Sequence, residues 1–346
     1  MGVTCGSMPL ICEFPVALDT YRGCSHGCLY CFARRSSEIG GSVRPLHCTE
    51  SVKRFTEGKR TGDTNWCDWN IPLHWGAMSD PFQPAEREHG ASLEVLELLA
   101  EKGYPFIVST KGRLCAEEPY LSLLAESNVV VQVSMAAPVY DEMEPGAPTF
   151  AERLQMVEAL REAGVQRIVC RVQPYFPQYR EEVLESLQLM ADAGAYGATF
   201  EGMKYARRRP GTVGVSGDWC FPQELLERHY EKMRDACHAA GMSFYCAEDR
   251  LRTMGDSTAC CGCDGLEGFV GNRFNVVALL GGYASEPTEA MRKTGTARCL
   301  ATAGNQTTAQ HHAFARISFA EGVAHYLAHG YLQREDTKAK LAQDED

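Results

Sequence analysis

The sequence predicts an α/β fold, a partial (β/α) barrel of the six-unit type with a cysteine-containing C-terminal extension. Three observations carry that prediction. Short β-like runs alternate with amphipathic helical stretches from about residue 15 to 246. Several of those helices stop at a glycine that leads straight into an apolar run, which is the pattern of βα units with parallel strands. After Cys246 the alternation ends. An open doubly wound sheet is the alternative arrangement of the same units.

In chain order the candidate strands are Val16–Thr20, Pro72–Ala77, Phe106–Ser109, Val129–Ser134, Arg167–Val172, Gly197–Glu201 and Ser243–Cys246. The helix Ser92–Lys102 ends at Gly103, a good residue for a left-handed cap. Thr149–Ala163 opens with the Thr149/Glu152 capping-box spacing and stops at Gly164. Arg180–Ala193 stops at Gly194, and Pro222–Ala240 has proline in its first turn and Gly241 after its end. The organisation expected is an N-terminal segment over 1–14, a barrel over 15–245 and an extension over 246–346. The extension has an apolar run at Phe274–Leu280 and a terminal helix over about Ala309–Leu332.

The 346 residues suffice for one large domain with an extension, or for two domains. With 45% hydrophobic and 23% charged residues, composition excludes a disordered, collagen-like or coiled-coil chain. No apolar run approaches the roughly 18 residues of a membrane span, and the N-terminus lacks a secretory pattern, so the expectation is a cytoplasmic protein. Thirty-four basic residues against 45 acidic give a net charge of −11. That balance argues against gripping nucleic acid mainly through phosphates. Arg207, Arg208 and Arg209 form a local exception, read as a solvated loop. The most unusual count is 16 cysteines. In a chain with no export pattern these point to metal or redox chemistry rather than a disulfide scaffold.

The first group is Cys24, Cys28 and Cys31, in Cys-x3-Cys-x2-Cys spacing directly after the first candidate strand. Three thiolates on a short loop can hold three corners of a cubic iron–sulfur cluster and leave the fourth iron open. Gly23 and Gly27 give the backbone room to wrap. A zinc knuckle is the rival, but zinc takes a fourth ligand, and His26 inside the motif is poorly placed to supply it.

This loop, with Tyr30 just before the third cysteine, resembles the radical S-adenosylmethionine (SAM) superfamily. The segments Trp75–Glu86, Ser109–Lys111 and Glu144–Leu154 are similar to its spore photoproduct lyase-like branch, over about residues 15–205. The resemblance implies a [4Fe–4S] cluster whose open iron chelates S-adenosylmethionine. It also implies reductive cleavage to a 5′-deoxyadenosyl radical and abstraction of a substrate hydrogen atom. By resemblance, Ala77, Met78, Ser79 and Asp80 lie by the methionyl amino group, and Ser134 by the carboxylate or ribose. Tyr30, Lys111, Arg171 and Glu201 are further candidate cofactor neighbours, since active sites of such barrels gather at the C-terminal strand ends. Glu144 and Arg153 are read as holding a loop to a helix.

A second group, Cys246, Cys260, Cys261 and Cys263, follows the last candidate strand. It suggests a second iron–sulfur cluster, with a four-thiolate zinc site as the alternative and unligated thiols as the plain reading. The remaining nine cysteines, Cys12 among them, are read as core filler. The function expected is a radical SAM enzyme that modifies or rearranges a substrate, leaning towards a nucleobase or nucleotide in DNA or RNA. A peptide or small metabolite fits the charge better. A reductase, flavodoxin or ferredoxin would supply the electron, and no membrane partner is expected. The competing class is a non-catalytic iron–sulfur or zinc scaffold.

Overall fold

The computed structural model describes residues 2–5, 12–35, 42–61, 64, 67–215 and 218–272. The expected apolar run Phe274–Leu280 and helix Ala309–Leu332 lie outside the described residues.

Strand β1 (Val3–Cys5) runs antiparallel to β2 (Val16–Leu18), and β3 (Tyr21–Arg22) pairs with β4 (Arg44–Pro45) as a small ribbon before α1 (Thr49–Thr56). The βα rhythm runs through β5 (Leu73–Trp75), α2 (Glu86–His89), α3 (Ala91–Lys102), β6 (Phe106–Thr110), α4 (Tyr120–Glu126) and β7 (Val129–Ser134). It continues through α5 (Phe150–Glu162), β8 (Arg167–Tyr175), α6 (Arg180–Ala193) and β9 (Gly197–Gly202). A small sheet of β10 (Lys204–Tyr205), β11 (Val213–Val215) and β12 (Asp218–Cys220) precedes α7 (Gln223–Ala239) and β13 (Ser243–Cys246). A 3₁₀ turn over Asp249–Met254 follows.

The main sheet has the order β1-β2-β5-β6-β7-β8-β9-β13. From β2 to β13 every pairing is parallel, and β1 and β13 are its two edges. This is a partial barrel. Neighbouring helices pack on one another, α3 on α4, α5 on α6 and α6 on α7. Outward side chains such as Phe106, Val108, Val131, Cys170 and Phe200 share one core with helix residues Leu96, Leu124, Leu160, Leu187 and Met233. The inward residues Ile107, Val130, Val169 and Tyr245 instead pack with Phe14, Ala259, Cys261 and Cys263. Helices thus cover one face, and Phe14 with the segment 257–272 covers the other, which excludes the doubly wound alternative.

The helix ends follow the sequence signals. Thr149 Oγ1 accepts from Glu152 N at 3.3 Å, and Glu152 Oε2 accepts from Thr149 N at 2.8 Å. Two expected strands are shorter than read. The first stops at Leu18 because Thr20 turns its hydroxyl to Ser92 Oγ (2.7 Å) and accepts from Trp75 Nε1 (3.2 Å). The second stops at Trp75 because Gly76 adopts φ +88°, where a Cβ would lie 2.4 Å from Ser109 O. The fifth parallel strand is longer, so Gln173 lies inside β8 rather than beyond it. Among the described residues no helix is long and apolar enough to cross a membrane.

Candidate active site

The loop bearing Cys24, Cys28 and Cys31 leaves the C-terminal end of β2 through the short β3. It coils back because Gly23 (φ 86°) and Gly27 (φ 67°) are left-handed, a conformation that a Cβ disfavours. Cys31 N donates to Cys28 O at 3.3 Å, closing the turn between the last two thiols. Gln83 clamps one side, donating from Nε2 to Gly23 O (3.1 Å) while its Oε1 accepts from Ser25 N (2.9 Å). His26 clamps the other. Its Nδ1 donates to Gly146 O at 2.9 Å, and its Nε2 lies 3.2 Å from Asp80 Oδ2.

Asp80 is the hub of this arrangement. Its Oδ1 accepts from Phe82 N (2.9 Å) and Thr110 Oγ1 (2.7 Å), and its Oδ2 accepts from Lys111 N (2.6 Å). These donors take three of the roughly four acceptor sites of the carboxylate, and His26 faces Oδ2 as its ion-pair partner. Burial pushes the Asp80 carboxyl up, but His26 and the N–H donors outweigh burial and hold it below the ordinary value. For His26 burial acts downwards, and Asp80 wins, raising it. Asp80 therefore positions the cysteine loop against β6.

The sequence reading passed over Asp19, which does the same for the neighbouring segment. Its Oδ1 accepts from Met78 N (3.0 Å) and Ser79 N (2.9 Å), while Ser79 Oγ donates to Tyr21 O (2.7 Å). Burial pushes Asp19 up to about 6. The available signal was its place just after the first strand, matching that of Ser79 and Asp80 after the second.

Tyr30, Lys111 and Ser134 share one rim. The Lys111 ammonium lies 5.7 Å from the centre of the Tyr30 ring and 3.8 Å from Glu144 Oε1. Burial lowers its pKa, while the Cys28 thiol opposes that. Tyr30 donates its hydroxyl to Glu144, and Glu144 pairs with buried Arg153 of α5. Arg153 also donates to Ser134 O at 2.7 Å. Glu144 and Arg153 thus tie the loop after β7 to its helix, as read from the sequence.

Deeper on the concave face a polar layer crosses the strands. Arg171 Nη1 donates to Ser109 Oγ (2.9 Å) and Gln132 Oε1 (3.4 Å), and its Nε donates to Gln173. His74 Nε2 lies 3.0 Å from Ser109 Oγ. Gln173 Nε2 and Lys204 Nζ both donate to Glu201, and Lys204 Nζ lies 3.9 Å from Asp249 Oδ2. Burial raises the Glu201 carboxyl against the pull of Lys204.

The second thiol group divides. Cys261 and Cys263 are buried on the concave side, with Cys260 packed beside them. Cys246 is buried in the helix-side core, its Sγ 3.6 Å from Glu248 O. That division follows from strand alternation, since Tyr245 points inward.

The residues of the first loop suit an iron–sulfur cube. The donor set is thiols alone, on a loop wrapped by two left-handed glycines, with the Lys111 cation beside Cys28. Burial pushes the bare Cys24 thiol up to about 12 and Cys28 upwards, so a metal must displace their protons. Among the described residues no three His, Cys, Asp or Glu side chains converge on a single metal-ion position.

Comparison with known proteins agrees. Uncharacterised proteins of Mycobacterium tuberculosis and Mycobacterium bovis are each 31% identical over 238 residues, covering 64% of this chain and 68% of theirs. An uncharacterised protein of the Acidianus two-tailed virus is 27% identical over 205 residues, covering 51% of this chain and 64% of its own. A solved structure of spore photoproduct lyase matches the fold with a TM-score of 0.55 at 16% identity, over 67% of this chain and 77% of the lyase. Another holds bound AdoMet and dinucleoside spore photoproduct, with a TM-score of 0.54 over 67% of this chain and 76% of the lyase, again at 16% identity. Residues 18–190 match the family described as the Radical SAM superfamily, a stretch that begins in β2 and takes in the cysteine loop. The chain therefore belongs to the radical SAM superfamily and is an enzyme of that class, with a [4Fe–4S] cluster and S-adenosylmethionine as its cofactors.

Proposed function

We propose that this enzyme acts on a nucleotide or another nucleobase-containing substrate, held at the mouth with an anionic group against Arg171. When bound, the cluster at Cys24, Cys28 and Cys31 supplies the electron that cleaves S-adenosylmethionine, yielding the 5′-deoxyadenosyl radical that takes a substrate hydrogen atom. Lys111, which lies over the ring of Tyr30 in that loop, and Tyr30 itself are, with Ala77–Ser79 and Ser134, the residues we assign to the cofactor. A reductase, flavodoxin or ferredoxin is the electron source this reading requires.

One observation carries the substrate class. Arg171 is held by the neutral side chains Ser109, Gln132 and Gln173. No carboxylate pairs with it among the described residues, whereas Lys111, Arg153, Lys204 and Arg252 each have one. A guanidinium on an inward wall without a counter-charge calls for an anion, and phosphate and carboxylate suit its planar fork. The net charge of −11 favours a second reading, a small carboxylate metabolite over a nucleic acid. The second thiol group is read as an auxiliary iron–sulfur site.

The test is 5′-deoxyadenosine formation by reduced, reconstituted protein with pools of nucleotides, dinucleotides and carboxylate metabolites. A substrate should accelerate it, and deuterium from that substrate should enter 5′-deoxyadenosine. Arg171→Gln should raise the half-saturating substrate concentration at least about tenfold, as expected for a lost charge-assisted bond of roughly 1.5–3 kcal/mol. Acceleration by no nucleotide, or an unchanged Arg171→Gln enzyme, refutes the assignment.

A further inference from the structure

The segment over 257–272 folds back into the lower half of the barrel, and the chain's N-terminal segment meets it there. Thr258 Oγ1 donates to Glu13 Oε1 at 2.6 Å, Asn272 N donates to Glu13 O at 2.6 Å, and Asn272 Nδ2 donates to Cys12 O at 3.4 Å. A cavity of about 370 Å³ opens beside Cys263, walled by Glu13, Phe14, Thr258 and Ala259. These bonds fix the backbone of residues 12 and 13 against this segment, and the Cys12 thiol is within electrostatic reach of Cys260 and Cys261. Cys260 packs beside buried Cys261 and Cys263, and the two adjacent thiols interact electrostatically. Gly262, at φ 72°, turns the backbone between them and Cys263.

A buried cation completes the group. Arg252 is 7% exposed and pairs with Asp249, yet its Nε has no hydrogen-bond partner. Its guanidinium interacts electrostatically with both Cys12 and Cys260. A buried, unpaired N–H beside thiols is the kind of group that donates to cluster sulfur. Cys246 also feels Cys260 and Arg252, but its side chain packs in the helix-side core with its Sγ 3.6 Å from Glu248 O.

We propose that Cys12 joins Cys260, Cys261 and Cys263 as a ligand of the auxiliary iron–sulfur cluster, so that the two ends of the described chain close one site. This rests on the auxiliary-cluster reading above, with Cys12 replacing Cys246 in the ligand set. The cluster would then cross-link the N-terminal segment to the barrel plug, and Arg252 would offset its negative charge.

The experiment counts iron and sulfide in the full-length protein, reconstituted anaerobically with ferrous iron and sulfide. The wild type should hold about eight irons, and a Cys24/Cys28/Cys31→Ala variant about four. Adding Cys12→Ser to that variant should lose most of the remaining iron or convert its spectrum to that of a three-iron cluster. Adding Cys246→Ser should leave iron unchanged. As a readout independent of mutant folding, iodoacetamide should label Cys12 in the apoprotein and spare it after reconstitution. Full iron retention without Cys12, or equal labelling of Cys12 in both states, overturns the assignment while leaving an auxiliary cluster standing. Absence of iron from the Cys24/Cys28/Cys31→Ala variant, or zinc in its place, overturns the auxiliary cluster itself and the proposal with it.

Discussion

Replacing Asp80 should loosen the cysteine loop before it touches any ligand. The carboxylate binds Phe82 N, Lys111 N and Thr110 Oγ1 and faces His26 Nε2. Asp80→Ala leaves two buried N–H groups unpaired and strips His26 of its counter-charge. Breaking a buried pair of this kind costs about 3–5 kcal/mol. Asp80→Asn is milder, about 1–3 kcal/mol. Its amide oxygen can keep Phe82 and Thr110, and its Nδ2 can donate to a neutral His26. That same Nδ2 then opposes the Lys111 N–H, donor against donor. Urea unfolding of the apoproteins should therefore rank wild type above Asp80→Asn and Asp80→Ala last, with similar slopes. Iron retained by the first cluster should fall in the same order. An Asp80→Ala protein with the wild-type midpoint but no S-adenosylmethionine binding would refute the positioning role and make Asp80 a direct contact.

Three further outcomes are expected. Cys24→Ala removes one corner of the cluster and should abolish 5′-deoxyadenosine formation, which liquid chromatography of the reduced reaction reads directly. Burial, reinforced by Arg171, lowers His74 to about 3. The unfolded state then binds its proton first, so stability from His74 is present above the ordinary histidine value and lost as pH falls from about 6.5 towards 3. Between about pH 7.5 and 5.5 the wild type should lose about 1 kcal/mol more in urea than His74→Gln does, and equal losses would contradict the burial argument. Arg167 Nη1 donates to Gly262 O (2.9 Å) and Asp264 O (3.2 Å), and the guanidinium lies 3.7 Å from the centre of the Tyr196 ring. Arg167→Ala should therefore speed proteolysis within 257–272, and an unchanged cleavage rate would show that the segment is held elsewhere.

The parts of the molecule that were legible in the sequence are those whose cause is local. Thr149 with Glu152, and glycines such as Gly103 and Gly194, mark helix ends because capping acts within a few residues. The Cys24–Cys31 loop is legible for the same reason: one turn carries its whole ligand set. Asp19 and Asp80 were harder. Both follow strands, and nothing in the sequence distinguishes a carboxylate that binds a ligand from one that accepts N–H bonds from a neighbouring loop. The difference lies in contacts such as Asp80 with Lys111, which depend on how β5 and β6 align. Cys12 was the least legible of all, since its neighbours are about 250 residues away along the chain.

The same alignment explains why the barrel has a floor. Along β6 the inward residues run from Ile107 to Ser109, along β7 from Val130 to Gln132 and Ser134, and along β8 from Val169 to Arg171 and Gln173. Each strand is apolar inward at its N-terminal end and polar at its C-terminal end. The apolar half must be covered, and Phe14, Ala259, Cys261 and Cys263 cover it. Where the two halves meet, Gln132 uses both ends of its amide, donating to Cys261 O at 3.4 Å and accepting from Ser109 and Arg171. The next layer below Arg171 and Gln132 is the segment 257–272, packed on the apolar half of the strands. On the reading proposed above, the polar rim reads the substrate, and the thiols of the segment beneath act on it from that floor.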